Sequence, residues 1–279
     1  METVRGLVEL TRPGNAVAAG ALTFIGAFVA GGTAAPLAMT FAVAATVLAT
    51  GAGNAINDYF DREIDAINRP DRPIPRGDVV PRVALWFSVA LFVAAVALTL
   101  LLPPLAIAIA LINLLALVAY TELFKGLPGV GNVVVAYLGG STFLYGGAAV
   151  GGEMGLVVVL FALAACATVA REIVKDVEDI DGDREEGLNT LPIAIGERRS
   201  LQIATLFAVA AVAASPLPYL LGPFGIGYLL VVVPADLVML AAVRRSFGDP
   251  STGQAWLKAG MFLAAAAFAV GKIGPSVWL

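Results

Sequence analysis

The sequence predicts an all-α membrane protein, a bundle of about nine transmembrane helices. Three observations carry that expectation. Hydrophobic residues make up 59% of the 279-residue chain and charged residues 14%, whereas soluble domains carry about 25% charged residues. Apolar runs close to the ~20 residues that span a bilayer recur along the whole length. Finally, 16 of the 17 Lys and Arg residues fall on one side of the resulting arrangement, and Lys272 alone on the other.

The spans are expected at about 14–31, 36–57, 82–102, 104–121, 131–151, 154–174, 200–220, 223–243 and 255–273, in a single domain over 1–279. Arg5 and Arg12 precede the first, which is expected to be a permanent helix and not a removable signal. Pro36 opens the second, and Arg62, Arg69, Arg72, Arg76 and Arg82 follow it. Pro81 opens the third, Pro103-Pro104 the fourth, and Pro128 precedes the fifth, which closes at Gly151-Gly152. Arg171, Lys175, Arg184, Arg198 and Arg199 surround the loop after the sixth; Pro216 and Pro218 punctuate the seventh. Arg244, Arg245 and Lys258 surround the loop between the last two. By the positive-inside rule the basic side is cytoplasmic, which puts the N-terminus inside and the C-terminus outside. Gly, Ala and Ser within the spans, as at Gly139-Gly140-Ser141, let helices approach closely.

Several chemistries are excluded. The chain has no histidine, so the usual general base, the usual transition-metal ligand and a His-ligated haem are all missing. Cys166 is the single cysteine, which rules out an internal disulfide or a thiolate cluster. No nucleic-acid partner is expected. Chemistry must come from carboxylates, Asn, Lys, Arg, Tyr and hydroxyls.

The acidic residues point to where. Of 21 Asp and Glu, six lie in 58–78 and nine in 172–197, both on the cytoplasmic side. Asp58, Asp61 and Asp65 form D-x-x-D-x-x-x-D, and Asp176, Asp179 and Asp183 repeat it with every position displaced by 118 residues. On a helix these offsets place three carboxylates on one stripe, which Asn57 joins four residues before Asp61. Three like charges per stripe destabilise a helix unless a cation joins them. All-oxygen donors select a hard ion, and Mg²⁺ typically takes one or two carboxylates plus phosphate oxygens and water. An EF-hand loop does not fit, because its alternating ligands and central glycine do not align. The motifs are therefore expected to hold Mg²⁺, as two ions, with a diphosphate.

Basic partners lie close by. Arg69, Arg72 and Arg76 sit on a stiff, Pro-spaced loop after the first motif, where guanidinium groups can meet phosphate oxygens bidentately. Arg72 is expected to do so, and Arg76 and Arg82 to set topology. Tyr120 and Lys125 form a second element after span four. Lys175 either holds phosphate or neutralises its acidic neighbours. Asp236, beside Pro234 inside span eight, is either functional or satisfies backbone groups freed by the proline.

At these residues the chain resembles the UbiA family of intramembrane prenyltransferases. Asn57, Asp61 and Asp65 match its N-x-x-x-D-x-x-x-D pattern, and Asp176, Asp179 and Asp183 match its second Asp-rich motif. Tyr120 and Lys125 match its Tyr/Lys element, and Arg12-Pro13-Gly14-Asn15 its R-P-x-N entry. The resemblance implies a helix bundle around a central cavity, cytoplasmic cap loops and a Mg²⁺-dependent reaction. Asp61 and Asp179, in the middle of the two stripes, are expected to be catalytic, with Arg72 and Lys125 assisting electrostatically. Arg12, Asn15, Arg72, Tyr120, Lys125, Arg171 and Lys175 are expected to contact substrate. The wording around both motifs, including Ala170-Arg171-Glu172-Ile173-Val174-Lys175-Asp176, is most similar to the archaeal branch. The implied reaction is transfer of a geranylgeranyl group from its diphosphate to the sn-2 hydroxyl of geranylgeranylglyceryl phosphate, a lipid-like acceptor. The alternatives are an aromatic acceptor on a route to quinones and, remotely, a divalent-cation transporter. The latter is disfavoured because transporter sites lie near the bilayer midplane, whereas these carboxylates sit at one face among arginines.

Overall fold

A computed structural model describes residues 2–124, 126–222 and 224–273, and within them the chain is helical without a β-strand. A short amphipathic helix, α1 (Glu2–Leu10), opens the chain. It is absent from the expected spans because nine residues cover only ~14 Å at 1.5 Å per residue. The helices α2 (Pro13–Val29), α3 (Pro36–Phe60), α4 (Arg62–Asn68), α5 (Pro81–Thr99) and α6 (Pro104–Ala119) follow. A π-turn at Tyr120–Phe124 then leads toward α7 (Val130–Ala149), α8 (Met154–Glu178), α9 (Ile180–Glu185) and α10 (Leu191–Ile195). The chain closes with α11 (Glu197–Ala214), α12 (Leu217–Leu220), α13 (Ile226–Ser246) and α14 (Pro250–Lys272).

Each expected span coincides with a helix, and proline explains several of the boundaries. Pro13, Pro36, Pro81, Pro104 and Pro250 each occupy the first helical position, where the missing N–H would have no partner and the fixed φ suits the helix. The seventh span breaks in two, because α11 ends at Ala214 and Ser215-Pro216 separates it from α12. Pro234, by contrast, stays inside α13.

Six helical segments are long and apolar enough to cross a membrane: α3, α5, α8, α11 with α12, α13 and α14; α2 and α6 are shorter apolar helices. The outer surfaces are apolar, with Leu115 61%, Leu206 67% and Leu230 71% exposed. A water-facing surface would not carry so continuous an apolar coat; lipid does not penalise it. This is a multi-pass membrane protein. In contrast, α7 lies inside the bundle and buries eleven residues, among them Asn132, Ser141, Phe143 and Tyr145.

Small residues set the central contact. A Cβ on Gly26 would stand 2.3 Å from the Phe143 carbonyl oxygen, and one on Gly146 would stand 2.1 Å from the Thr23 carbonyl oxygen. These reciprocal glycines let α2 and α7 touch backbone to backbone. Outward from this pair, α3 packs on α2 and α8 on α7. The third and eighth helices are both 25 residues long and begin 118 residues apart, so the motif spacing extends to whole helical units.

Asp236 finds a specific partner. The Ser215 hydroxyl donates to its carboxylate at 2.6 Å, and the Tyr228 hydroxyl donates to the Ser215 carbonyl at 2.7 Å. The carboxylate thus fastens α13 to the end of α11, and not to backbone groups freed by Pro234.

Candidate active site

The two motifs are built alike in backbone and differently in side-chain partners. In each, the long helix ends just before the middle Asp and a short helix begins just after it. The expected uninterrupted stripe is therefore bent, although backbone hydrogen bonds from Asp61 to Asn57, Asp65 to Asp61, Asp179 to Lys175 and Asp183 to Asp179 carry the helical spacing through the junction at 2.8–2.9 Å.

At the first motif, Asp58 and Asp65 are buried, at 4% and 6% exposure. Buried carboxylates need compensation, and arginines supply it. Arg12 donates to Asp58 at 2.6 Å and Arg72 donates to the same oxygen at 3.1 Å. Arg72 also pairs with Asp65. Two expected metal ligands are thus held by two expected substrate contacts, because neither carboxylate could be buried unpaired. Arg12 sits in the left-handed region (φ 47°) between α1 and α2, a costly conformation for a side-chain-bearing residue. The turn is secured by the Asn54 side-chain amide donating to the Thr11 carbonyl at 2.9 Å. Asn57 and Asp61 remain exposed at the end of α3. Asn15 is exposed in the first turn of α2.

Arg76 does more than set topology. It reaches Glu9 on α1 at 3.0 Å, Asp78 at 2.6 Å and the Asp71 carbonyl at 2.6 Å, and the Asp78 and then the Glu9 carboxylate push its pKa up. With Gly6 set against Val79, it clamps the loop that carries Arg72 onto α1.

At the second motif, Asp176, Asp179 and Asp183 line one cavity of about 100 Å³ together with Tyr120, Asn132, Glu172, Lys175 and Thr190. Its size suits an ion with phosphate oxygens or water, not an isoprenoid chain, and no first-motif residue lines it. The π-turn that starts at Tyr120 brings this side chain to the cavity. Burial and then the Glu172 charge raise the Tyr120 pKa, so its hydroxyl stays a donor at neutral pH. Lys175 Nζ lies 3.6 Å from Asp179. Burial lifts the Asp183 carboxyl above its ordinary range. Thr190 stands beside Asp183, yet its buried hydroxyl does not meet the carboxylate at hydrogen-bonding geometry. Arg171 turns to Glu172 and leaves a buried Nε without a partner; it does not line the cavity. Lys125 lies outside the described residues.

Sequence reasoning missed Asn132, Glu172 and Thr190. Asn132 is buried and donates to Asp176 at 2.7 Å. One signal was available, since Thr190 follows Arg72 by the same 118 residues that relate the motifs. Among the described residues, no three acidic side chains already converge as a metal cage. The donor set still suits Mg²⁺, which needs only one or two carboxylates when phosphate and water complete its shell.

Comparison with known proteins follows the same lines. The sequence profile of the UbiA prenyltransferase family matches residues 19–266. The chain is 77% identical to digeranylgeranylglyceryl phosphate synthase of Natronomonas pharaonis, over 98% of this chain and 99% of that one. It is 60% identical to the protein of the same name from Halobacterium salinarum, over 98% and 99% of the two chains. A solved structure of digeranylgeranylglyceryl phosphate synthase shares 37% identity and a TM-score of 0.83, over 98% and 99% of the chains. A UbiA homolog from Archaeoglobus fulgidus, solved with GPP and Mg²⁺, shares the fold at 17% identity and a TM-score of 0.70, over 96% and 100%. A helical bundle, paired Asp-rich motifs at equivalent helix ends and this breadth of similarity lead to one conclusion: the chain belongs to the UbiA prenyltransferase family.

Proposed function

We propose that this protein transfers a geranylgeranyl group from geranylgeranyl diphosphate to the sn-2 hydroxyl of geranylgeranylglyceryl phosphate, forming an ether bond of archaeal membrane lipid. The observation that carries the reading is the 77% identity, end to end, with digeranylgeranylglyceryl phosphate synthase. The same similarity favours it over an aromatic acceptor and over ion transport.

The chain's own residues suggest how. Asp176, Asp179 and Asp183, with Asp61 and Asp65 across the first motif, would hold Mg²⁺, proposed as two ions. Bound there, Mg²⁺ supplies positive charge against the leaving diphosphate. The protonated Tyr120 donates a hydrogen bond into the cavity, and Lys175 adds a cation at its rim. Arg72, which spans Asp58 and Asp65, would offer its guanidinium to a diphosphate oxygen. Lys125 would assist from the loop after Tyr120. Arg12 is committed to Asp58 and orients the motif; Asn15 and Arg69 are proposed for the acceptor phosphate, and Arg171 would join them only by leaving Glu172. The carbon–oxygen bond to diphosphate breaks, the ether bond forms, and diphosphate and a proton are released.

We further infer nine crossings, with the N-terminus and both motifs cytoplasmic. The acid test of the reaction uses purified protein, Mg²⁺ and labelled geranylgeranyl diphosphate, with geranylgeranylglyceryl phosphate and 1,4-dihydroxy-2-naphthoate offered side by side. Label should pass to the glyceryl phosphate. Transfer to the naphthoate alone would replace this reading with the quinone one.

A further inference from the structure

The two motifs are related by a repeat, yet their carboxylates are held by different chemistry. Asp58 receives Arg12, and its counterpart 118 residues on, Asp176, receives Asn132. Asp65 receives Arg72, and its counterpart Asp183 has Thr190 beside it at the matching displacement. Both outer carboxylates of the first motif are held by guanidinium groups, whereas the contact that holds Asp176 is a neutral amide and the cation at the second motif, Lys175, lies 3.6 Å from the middle carboxylate, Asp179. A guanidinium that orients a carboxylate also cancels its charge. An amide orients it and leaves the charge for a cation in the cavity, as supporting hydrogen bonds do around metal ligands.

The Asn132 geometry fits such a task. Gly129 takes positive φ (74°) as the cap of α7, which turns the chain so that Asn132 enters the first turn of that helix. The residue is 6% exposed, and Nδ2 donates to Asp176 Oδ2 at 2.7 Å. We propose that Asn132 is a positioning residue of the second motif: its neutral amide holds Asp176 in the orientation that metal binding requires. This rests on the metal-dependent reading above.

The test uses the full chain in detergent, with Mn²⁺ as the probe and the free-Mn²⁺ electron paramagnetic resonance signal as the readout. In Asn132→Ala the Mn²⁺ Kd should rise roughly 10- to 100-fold. The Mg²⁺ concentration for half-maximal turnover should move in parallel, with the KM for the acceptor unchanged. Asn132→Ser, which keeps a short donor, should recover part of the affinity, and it carries the test if the alanine variant does not fold. Folded variants that bind Mn²⁺ within about twofold of the parent overturn the proposal, a difference well under 1 kcal/mol. So does failure of both variants to fold, which would mark the amide as structural. Asp176→Ala separates the two levels. If it binds Mn²⁺ like the parent, the metal reading of the motif fails; if it loses Mn²⁺ while the Asn132 variants do not, only the role of Asn132 falls.

Discussion

Asp61 and Asp179 occupy the same backbone position in two copies of one helical unit. Each follows a 25-residue helix and precedes a short one, with φ, ψ of −81°, 1° at Asp61 and −91°, 6° at Asp179. Neither side chain is buried, so each is open to a ligand, with Lys175 lying 3.6 Å from Asp179. Asp61→Ala and Asp179→Ala should each lower turnover by at least about a hundredfold, the usual scale for removing one electrostatic contact to a developing charge. Both proteins should remain folded, as judged by elution and melting temperature. Near-normal turnover in either would sink the two-motif mechanism.

Arg72 bridges Asp58 and Asp65 in a largely buried network. Arg72→Ala leaves Asp58 with Arg12 and takes the guanidinium from Asp65, at a cost of about 3 kcal/mol for breaking a buried pair. Arg72→Lys should recover little, because a single ammonium does not reproduce the planar fork. Thermal unfolding in detergent measures both; a lysine variant as stable as the parent would show that charge alone suffices.

The α2–α7 contact tolerates no side chain at Gly146. A methyl group there would meet the Thr23 carbonyl at 2.1 Å, and backbone cannot swing aside. Gly146→Ala should destabilise by about 3 kcal/mol or more. Gly155, with open space around its Cβ position, is the control. Equal melting temperatures for Gly146→Ala and Gly155→Ala would contradict the packing.

Asp249 caps α14 by accepting from the Thr252 backbone amide at 3.0 Å. That hydrogen bond, then Arg245, holds its carboxyl below the ordinary range. The folded pKa lies below the unfolded one, so the stabilisation is present above the unfolded value, near 3.9, and is lost as pH falls through the folded value. Asp249→Ala should lower the melting temperature at pH ~7, and the gap from the parent should narrow toward pH ~3, when the cap protonates. A gap independent of pH would assign the effect to the helix cap without its charge.

The partition of basic residues, 16 against 1, implies an outside C-terminus. A reporter fused after Leu279 should respond as extracytoplasmic. A cytoplasmic response would require an even number of crossings.

Much of this protein is set by local chemistry that a linear sequence displays. Proline and charge mark where apolar runs begin and end, and the helices duly begin at Pro36, Pro81 and Pro104. The 118-residue displacement of the Asp motifs is likewise visible in one dimension, and with it the pairing of α3 with α8. What the tertiary structure alone decided is which charge meets which. Arg12 and Asp58 lie 46 residues apart and Asn132 and Asp176 lie 44 apart, so no local period joins either pair. Burial decided their partners: a carboxylate withdrawn from water must find a donor, and the donor that the fold brings near is a cation at one motif and an amide at the other.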